Sequence, residues 1–207
     1  MRTPTVYLIW YGNWNQINGS DTPAGQTIVN DFLYGLSGSP YYQTNASYGT
    51  PTGSFAVGGT YTDTYSQGST LSDQGVANVV ANAINSGGLF KDNNGIYFVL
   101  TSSDVAETSG FCSRYCGWHT YGTLGTTNIK YAFVGNANRC LNAWYDPRGY
   151  EDADKCAWTF GQNISSVNGA YYNMTLPALS VTSRNFLIQR ELDVNSLCYV
   201  NYVTKAQ

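Results

Sequence analysis

Cys112, Cys116 and His119, the last being the one histidine of the chain, stand within eight positions in the stretch GFCSRYCGWHTYG, residues 110–122. A C-x3-C-x2-H run brings thiolate and imidazole donors close together, and a zinc site needs three or four ligands drawn from Cys, His, Asp and Glu. No second cluster of Cys or His completes such a set, because Cys140, Cys156 and Cys198 are scattered singly. The residue types therefore favour a disulfide between Cys112 and Cys116 that closes an exposed turn, with His119 merely beside it. Five cysteines are an odd number, so in an oxidising compartment at least one stays unpaired or joins another chain.

A second group with chemical potential is Asp146, Glu151, Asp152 and Asp154 in YDPRGYEDADKC. A loop turned by Pro147 and Gly149 can fold carboxylate oxygens around a hard cation such as calcium, and Asp154 with His119 is the pair that a zinc site would draw on. Arg148 and Lys155 offset these charges, which favours a solvated loop over a metal site. Paired carboxylates also run glycoside hydrolysis, but any acidic loop offers such a pair. No G-x-S-x-G elbow accompanies His119 and no glycine-rich phosphate loop precedes a helix, so no catalytic set is expected. Trp10, Trp14, Trp118, Trp144 and Trp158 can stack on sugar rings, yet at least three of them are expected in the core.

The elements that must position these groups are legible in part. TVYLIWYG (Thr5 to Gly12) is a dense apolar run that reads as a buried strand entering a loop. Val29, Phe32, Leu33 and Leu36 follow at helical spacing, and SGSP from Ser37 stops the pattern. SFAVGGTYTDTYSQ from Ser54 alternates tyrosine and aspartate with threonine and reads as a weakly hydrophobic edge strand. A second helix has Ser72 as its N-cap, an inward stripe of Val76, Val79, Val80 and Ala83, and Gly87-Gly88 as its stop. GIYFVLTSSDV from Gly95 and NIKYAFVGN from Asn128 are again strands. The order predicts an α/β fold, a mixed sheet layered with about two helices in the first two thirds and a β- and loop-rich tail after Cys140. With no repeat, low-complexity tract or linker, residues 1–207 are expected to form one domain.

Composition bounds the setting. Charged residues are only 11% of the chain and aromatics 15%, with eighteen tyrosines, so solubility must come from hydroxyls, amides and attached sugar, as it does outside the cell. A net charge of −3 leaves no basic patch for phosphates, which argues against nucleic acid and acidic membranes as partners. No apolar run reaches the ~20 residues that span a bilayer. The start MRTPTVYLIWYG lacks the layout of a signal peptide, so a secreted protein would be present here as a mature or trimmed chain. Asn18, Asn45, Asn163 and Asn173 each begin an Asn-x-Ser/Thr sequon in polar, turn-rich surroundings, where a glycan is expected to meet no steric barrier.

The segments YLIWYGNW, IVNDFLYGLSGSPYY, IYFVLTSSDVAETSGFCSRYCGWHT, KYAFVGN, NAWYDPRGYEDADKCAWTFG and NFLIQR, in this order, resemble the EXORDIUM-like, or phosphate-induced protein 1, family. The resemblance implies a secreted cell-wall or extracellular-matrix protein whose partners are matrix glycans or copies of itself, with N-linked glycans of its own. Many family members outside plants resemble zinc peptidases in carrying a His-Glu-x-x-Glu helix between the VGN…RC and NAWYD blocks. Here Cys140 runs directly into LNAWYD, and that segment is absent. The family pattern also implies that Cys140 has lost a partner that would follow it, leaving Cys112 with Cys116, Cys156 with Cys198, and Cys140 as a free or intermolecular thiol. The expectation is thus a structural or matrix-binding glycoprotein without a catalytic residue. A zinc-dependent hydrolase using His119 and Asp154, and a carbohydrate-binding module, are the alternatives.

Overall fold

A computed structural model describes residues 3–49, 53–140 and 164–188, together with the backbone of two short strands in the tail. In chain order the elements are β1 (Thr5–Tyr11), α1 (Pro23–Leu36), α2 (Pro40–Gln43), β2 (Ala56–Asp63), β3 (Thr70–Leu71), α3 (Asp73–Asn85), β4 (Gly95–Thr101), β5 (Ala106–Glu107), β6 (Gly117–Leu124), β7 (Thr127–Val134), β8 (Ser165–Val167), β9 (Ala170–Tyr172), β10 (Met174–Pro177), β11 (Ser183–Phe186), β12 (Glu191–Leu192) and β13 (Cys198–Tyr199). The fold is α/β with a mixed sheet, and its C-terminal part is strand-rich. The chain divides into two compact units: Pro4–Gln26 with Ala56–Tyr145, and Thr27–Phe55 with Met1–Thr3 and Asp146–Gln207.

The first unit is built on a five-stranded sheet in the order β2-β1-β4-β7-β6. β2, β1, β4 and β7 run parallel, and β6 pairs antiparallel with β7 through a hairpin. Both faces of β1 are buried: Tyr7, Ile9 and Tyr11 on one side and Val6, Leu8 and Trp10 on the other, which is why its sequence is an unbroken apolar run. β2 lies on the outer edge, as its sparse hydrophobicity predicts.

Helix α3 packs its valines on this sheet. Ser72 accepts a hydrogen bond from the Gly75 amide at 3.1 Å and so caps the helix, Val76, Val79, Val80 and Ala83 are buried, and Gly87 turns the chain out at a φ of +77°. Tyr7 and Tyr97 stack at 4.8 Å between ring centroids in the same core.

The second unit has a smaller core of Tyr41, Met174 and Leu176, with Phe32, Leu36, Phe186 and Ile188 packed against it. The β8–β9 hairpin turns on Asn168-Gly169, both at positive φ, the pair that a two-residue type I′ turn requires. α1 forms over the predicted stripe, but its inward face differs from the expectation. Its buried residues are Asp31 and Gly35, while Val29, Phe32, Leu33 and Leu36 are only half-buried.

The reason lies in what these two positions meet. Asp31 accepts from the Arg184 guanidinium at 2.6 Å, from the Ser180 hydroxyl at 2.5 Å, and from the Leu179 and Ser180 amides at 2.9 Å. The guanidinium foremost, then the Ser180 hydroxyl, hold its carboxyl well below the usual carboxylate range. One turn on, a Cβ added at Gly35 would stand 2.4 Å from the Pro177 carbonyl oxygen and 2.6 Å from the Leu176 Cβ. Backbone cannot yield as a side-chain tip can. Gly35→Ala should therefore destabilise by about 1–2 kcal/mol in thermal or denaturant unfolding, because overpacking outweighs the ~1 kcal/mol that alanine gains in a helix.

Candidate functional site

In open parallel sheets ligands gather beyond the carboxyl ends of the strands, where neighbouring strands send their connections in opposite directions. β1 has β2 on one side and β4 on the other, so that point falls between β1 and β4. The loop after β1 carries Asn13, Gln16, Asn18, Ser20 and Asp21; the loop after β4 carries Ser102, Ser103 and Asp104; the turn after β7 carries Asn136.

Asp21 joins all three connections. It is fully buried, and it accepts from the Ser103 amide at 2.9 Å, the Ser103 hydroxyl at 2.6 Å, Asn18 Nδ2 at 2.7 Å, Ser20 Oγ at 3.1 Å and Gln16 Nε2 at 3.2 Å, with Asn136 Nδ2 completing the set. Burial pushes its carboxyl up, but the Ser103 hydroxyl and amide, Asn18 and Ser20 outweigh burial and leave it below the usual range. Neutral donors therefore keep a buried charge ionised, while the Arg139 guanidinium donates to the Ser103 carbonyl at 3.1 Å.

Asp104 repeats the arrangement at the surface. Ser102 Oγ donates to it at 2.5 Å, Gln16 Nε2 at 3.1 Å, and the Tyr65 hydroxyl closes the set. Burial raises this carboxyl, and the Ser102, Tyr65 and Gln16 donors bring it net downward. Ser102 Oγ also accepts from the Asn13 amide at 3.0 Å, so both of its functions are filled and it braces two loops.

The GFCSRYCG stretch is organised by Glu107, the last residue of β5. Its carboxylate accepts from the Ser109 amide at 2.9 Å, the Ser109 hydroxyl at 2.8 Å and the Tyr115 hydroxyl at 2.5 Å. Burial first and the Glu107 hydrogen bond second push the Tyr115 phenol up to about 12. Glu107 itself lies below its ordinary value, where the Tyr115 and Ser109 donors overcome its burial. Inside the loop, Arg114 donates its amide to the Gly110 carbonyl at 2.8 Å and Cys112 adopts a φ of +68°. Phe111 meets Phe133 edge-on at 5.2 Å, and a Cβ on Gly135 would come within 2.1 Å of the Phe111 ring, so that glycine makes room for it.

The cysteine expectation is corrected here. Cys112 is bonded to Cys140, with their Cα atoms 5.0 Å apart, and Cys116 is a free, exposed thiol. The physical reason is placement. Cys140 ends the turn that follows β7, beside the loop that follows β5, so a residue distant by 28 positions meets Cys112. Cys140 is accordingly neither a free nor an intermolecular thiol. Cys156 lies outside the described residues, and Cys198 is described in its backbone alone.

His119 is not in a loop. It is exposed on β6, opposite Ala132 of β7, and among the described residues it belongs to no group of metal-ligating side chains. Among the described residues, no group of three His, Cys, Asp or Glu side chains could hold a metal ion. Asp154 and the acidic loop Asp146–Asp154 lie outside those residues, as do Trp144, Trp158 and the Asn163 sequon. Trp10 is buried, while Trp14 and Trp118 are half-buried.

Of the other sequons, Asn18 is exposed and Asn45 half-buried. Asn173 is buried, its Nδ2 donating to the Ile188 carbonyl at 2.6 Å and its Oδ1 accepting from the Ile188 amide at 2.8 Å. The expectation of an open acceptor at Asn173 is therefore corrected: its amide substitutes for a strand partner.

Asp21, Asp104, Glu107 and their donors had no place among the candidates from sequence, save Asn18, which was expected to carry a glycan. The signal that points to them is position: hydroxyl- and amide-rich segments directly after the buried strands β1 and β4. What this rim can do chemically is hold fixed, neutral donors and acceptors at a surface. Its carboxylates are engaged and remain ionised, so none is poised to give up a proton near neutral pH.

A family model described as the phosphate-induced protein 1 conserved region matches residues 2–189. No curated protein and no solved structure matched the chain.

Proposed function

The chain belongs to the phosphate-induced protein 1 family, and from that premise we propose that it is a secreted, non-catalytic glycoprotein of the cell wall or extracellular matrix, acting by binding matrix glycans or copies of itself. The observation that carries the reading is the state of the strand-end carboxylates. Asp21, Asp104 and Glu107 are each saturated by hydroxyl and amide donors and each shifted downward, whereas a general acid would be shifted upward toward the working pH. Such groups stiffen a polar rim.

Composition and redox chemistry support the setting. A chain with only 11% charged residues suits a milieu of neutral polysaccharide, and the Cys112–Cys140 bond suits an oxidising compartment. N-linked glycans at Asn45 and Asn163 belong to the same proposal, whereas the Asn18 amide is engaged by Asp21.

The test is co-sedimentation of the purified protein with insoluble wall or matrix polysaccharide. Retention that persists through 1 M salt and chelator is expected, because neutral hydrogen bonding and ring stacking are not screened. Protein remaining wholly in the supernatant overturns the reading. Stoichiometric zinc that is lost in His119→Ala would point instead to the hydrolase alternative.

A further inference from the structure

Between the edge strand β2 and helix α3 the sheet unit carries an open groove of about 550 Å³. That volume lies within the ~300–1,000 Å³ of small-ligand sites. Its walls are Tyr61, Asp63 and neighbouring threonines of the strand end and its following turn on one side, and Asn82 and Asn85 of the helix on the other. Among the described residues, lysine, arginine and aliphatic side chains are missing from this lining.

The groove is constructed, not a gap between loose loops. Asp63 is buried and accepts from both the amide and the hydroxyl of Ser66 at 2.7 Å, which fixes the turn leaving β2. Asn82 Nδ2 donates to the Ser66 hydroxyl at 3.4 Å and ties the helix to that turn. Tyr61 packs against the main core, and its ring rests on Gly88, where an added Cβ would lie 2.3 Å from the ring. The ring is thus held still at the groove wall. The side chains of Thr62, Thr64 and Asn85 are exposed there, with no hydrogen-bond partner among the described residues.

We propose that this groove binds a short uncharged oligosaccharide. The inference rests on the matrix-binding reading and names its ligand class and place. A sugar presents alternating hydroxyls that both donate and accept, and side-chain amides and hydroxyls answer both functions. Its C–H faces suit a fixed tyrosine ring, which offers apolar area at small entropic cost. An anionic ligand would meet Asp63 with no cation to offset it, and an acyl chain would find no aliphatic wall. An added peptide strand on the edge of β2 is the competing occupant.

The test uses the full chain and a panel of uncharged hexasaccharides, β-1,3- and β-1,4-linked glucose and β-1,4-linked xylose, titrated by calorimetry. Binding of at least one is expected. Asn82→Ala combined with Asn85→Ala should weaken it by at least about tenfold, the loss of one or two hydrogen bonds. The thermal midpoint should hold within about 2 °C, because the long, exposed Asn82–Ser66 bond costs only about 0.5–1 kcal/mol when lost and alanine at two exposed helix positions offsets it.

Binding that is equal in the double variant overturns the groove while leaving matrix binding intact. So does a protein that sediments with matrix yet takes none of the hexasaccharides. A preference for uronic-acid oligomers, or for an extended peptide that the double variant binds equally well, overturns it too. Failure to sediment with matrix at all is the separate outcome that removes the underlying reading.

Discussion

Cys112→Ser and Cys140→Ser should each lower the thermal midpoint by about 7–14 °C, while Cys116→Ser leaves it within about 2 °C. A disulfide across 28 positions restricts the unfolded chain by about 3.5 kcal/mol in the loop-entropy description. For a chain of this size each kcal/mol moves the midpoint by about 2–4 °C. Cys116 is exposed and bonded to nothing, so serine in its place removes neither a crosslink nor packing. Peptide mapping without reduction supplies the second readout. It should return a linked pair containing Cys112 and Cys140, with Cys116 alkylated. A Cys112–Cys116 peptide, or a large loss in Cys116→Ser, contradicts this structure and restores the spacing-based expectation.

That contrast shows where the sequence was legible. Local signals carry through to the structure: Ser72 caps α3 because the cap and the amide it serves are three residues apart, and the valine stripe of α3 needs only helical geometry to face inward. The weak edge character of β2 is likewise written in its own side chains. Features set by distant neighbours were not legible. The helical period of α1 is visible, yet its buried positions are Asp31 and Gly35, whose partners Arg184 and Pro177 lie more than a hundred residues on. β6 shows almost no hydrophobic alternation because most of its residues are exposed. Its strand state comes from the hairpin with β7. The two compact units interleave along the chain, so no single linker marks a boundary between them. Cysteine spacing misled for the same reason, since proximity is set by the strand ends and not by the count of intervening residues.

The largest effect expected of the rim is on acid stability. Asp21→Ala should destabilise by about 3 kcal/mol, because it strands several buried donors that now share one charged acceptor. Asp21→Asn keeps the shape but turns an NH2 toward some of those donors, and should cost about 2 kcal/mol. The sign of the pH effect separates charge from shape. A carboxyl whose folded pKa lies below its unfolded value contributes stability that is present above the unfolded value, near pH 4, and disappears as pH falls through the folded one. Asp21, Asp31, Asp104 and Glu107 are all shifted downward, so wild-type stability should fall below about pH 4, each group adding to the slope. In Asp21→Asn one proton-linked contribution is already gone. Its deficit against wild type should therefore be widest near pH 7 and narrow toward about pH 2, as measured by denaturant midpoints across the range. A deficit independent of pH would mean that Asp21 acts through its shape and its neutral hydrogen bonds alone. The rim would then owe its rigidity to packing, and the argument that its carboxylates are held ionised to brace a binding surface would lose its footing.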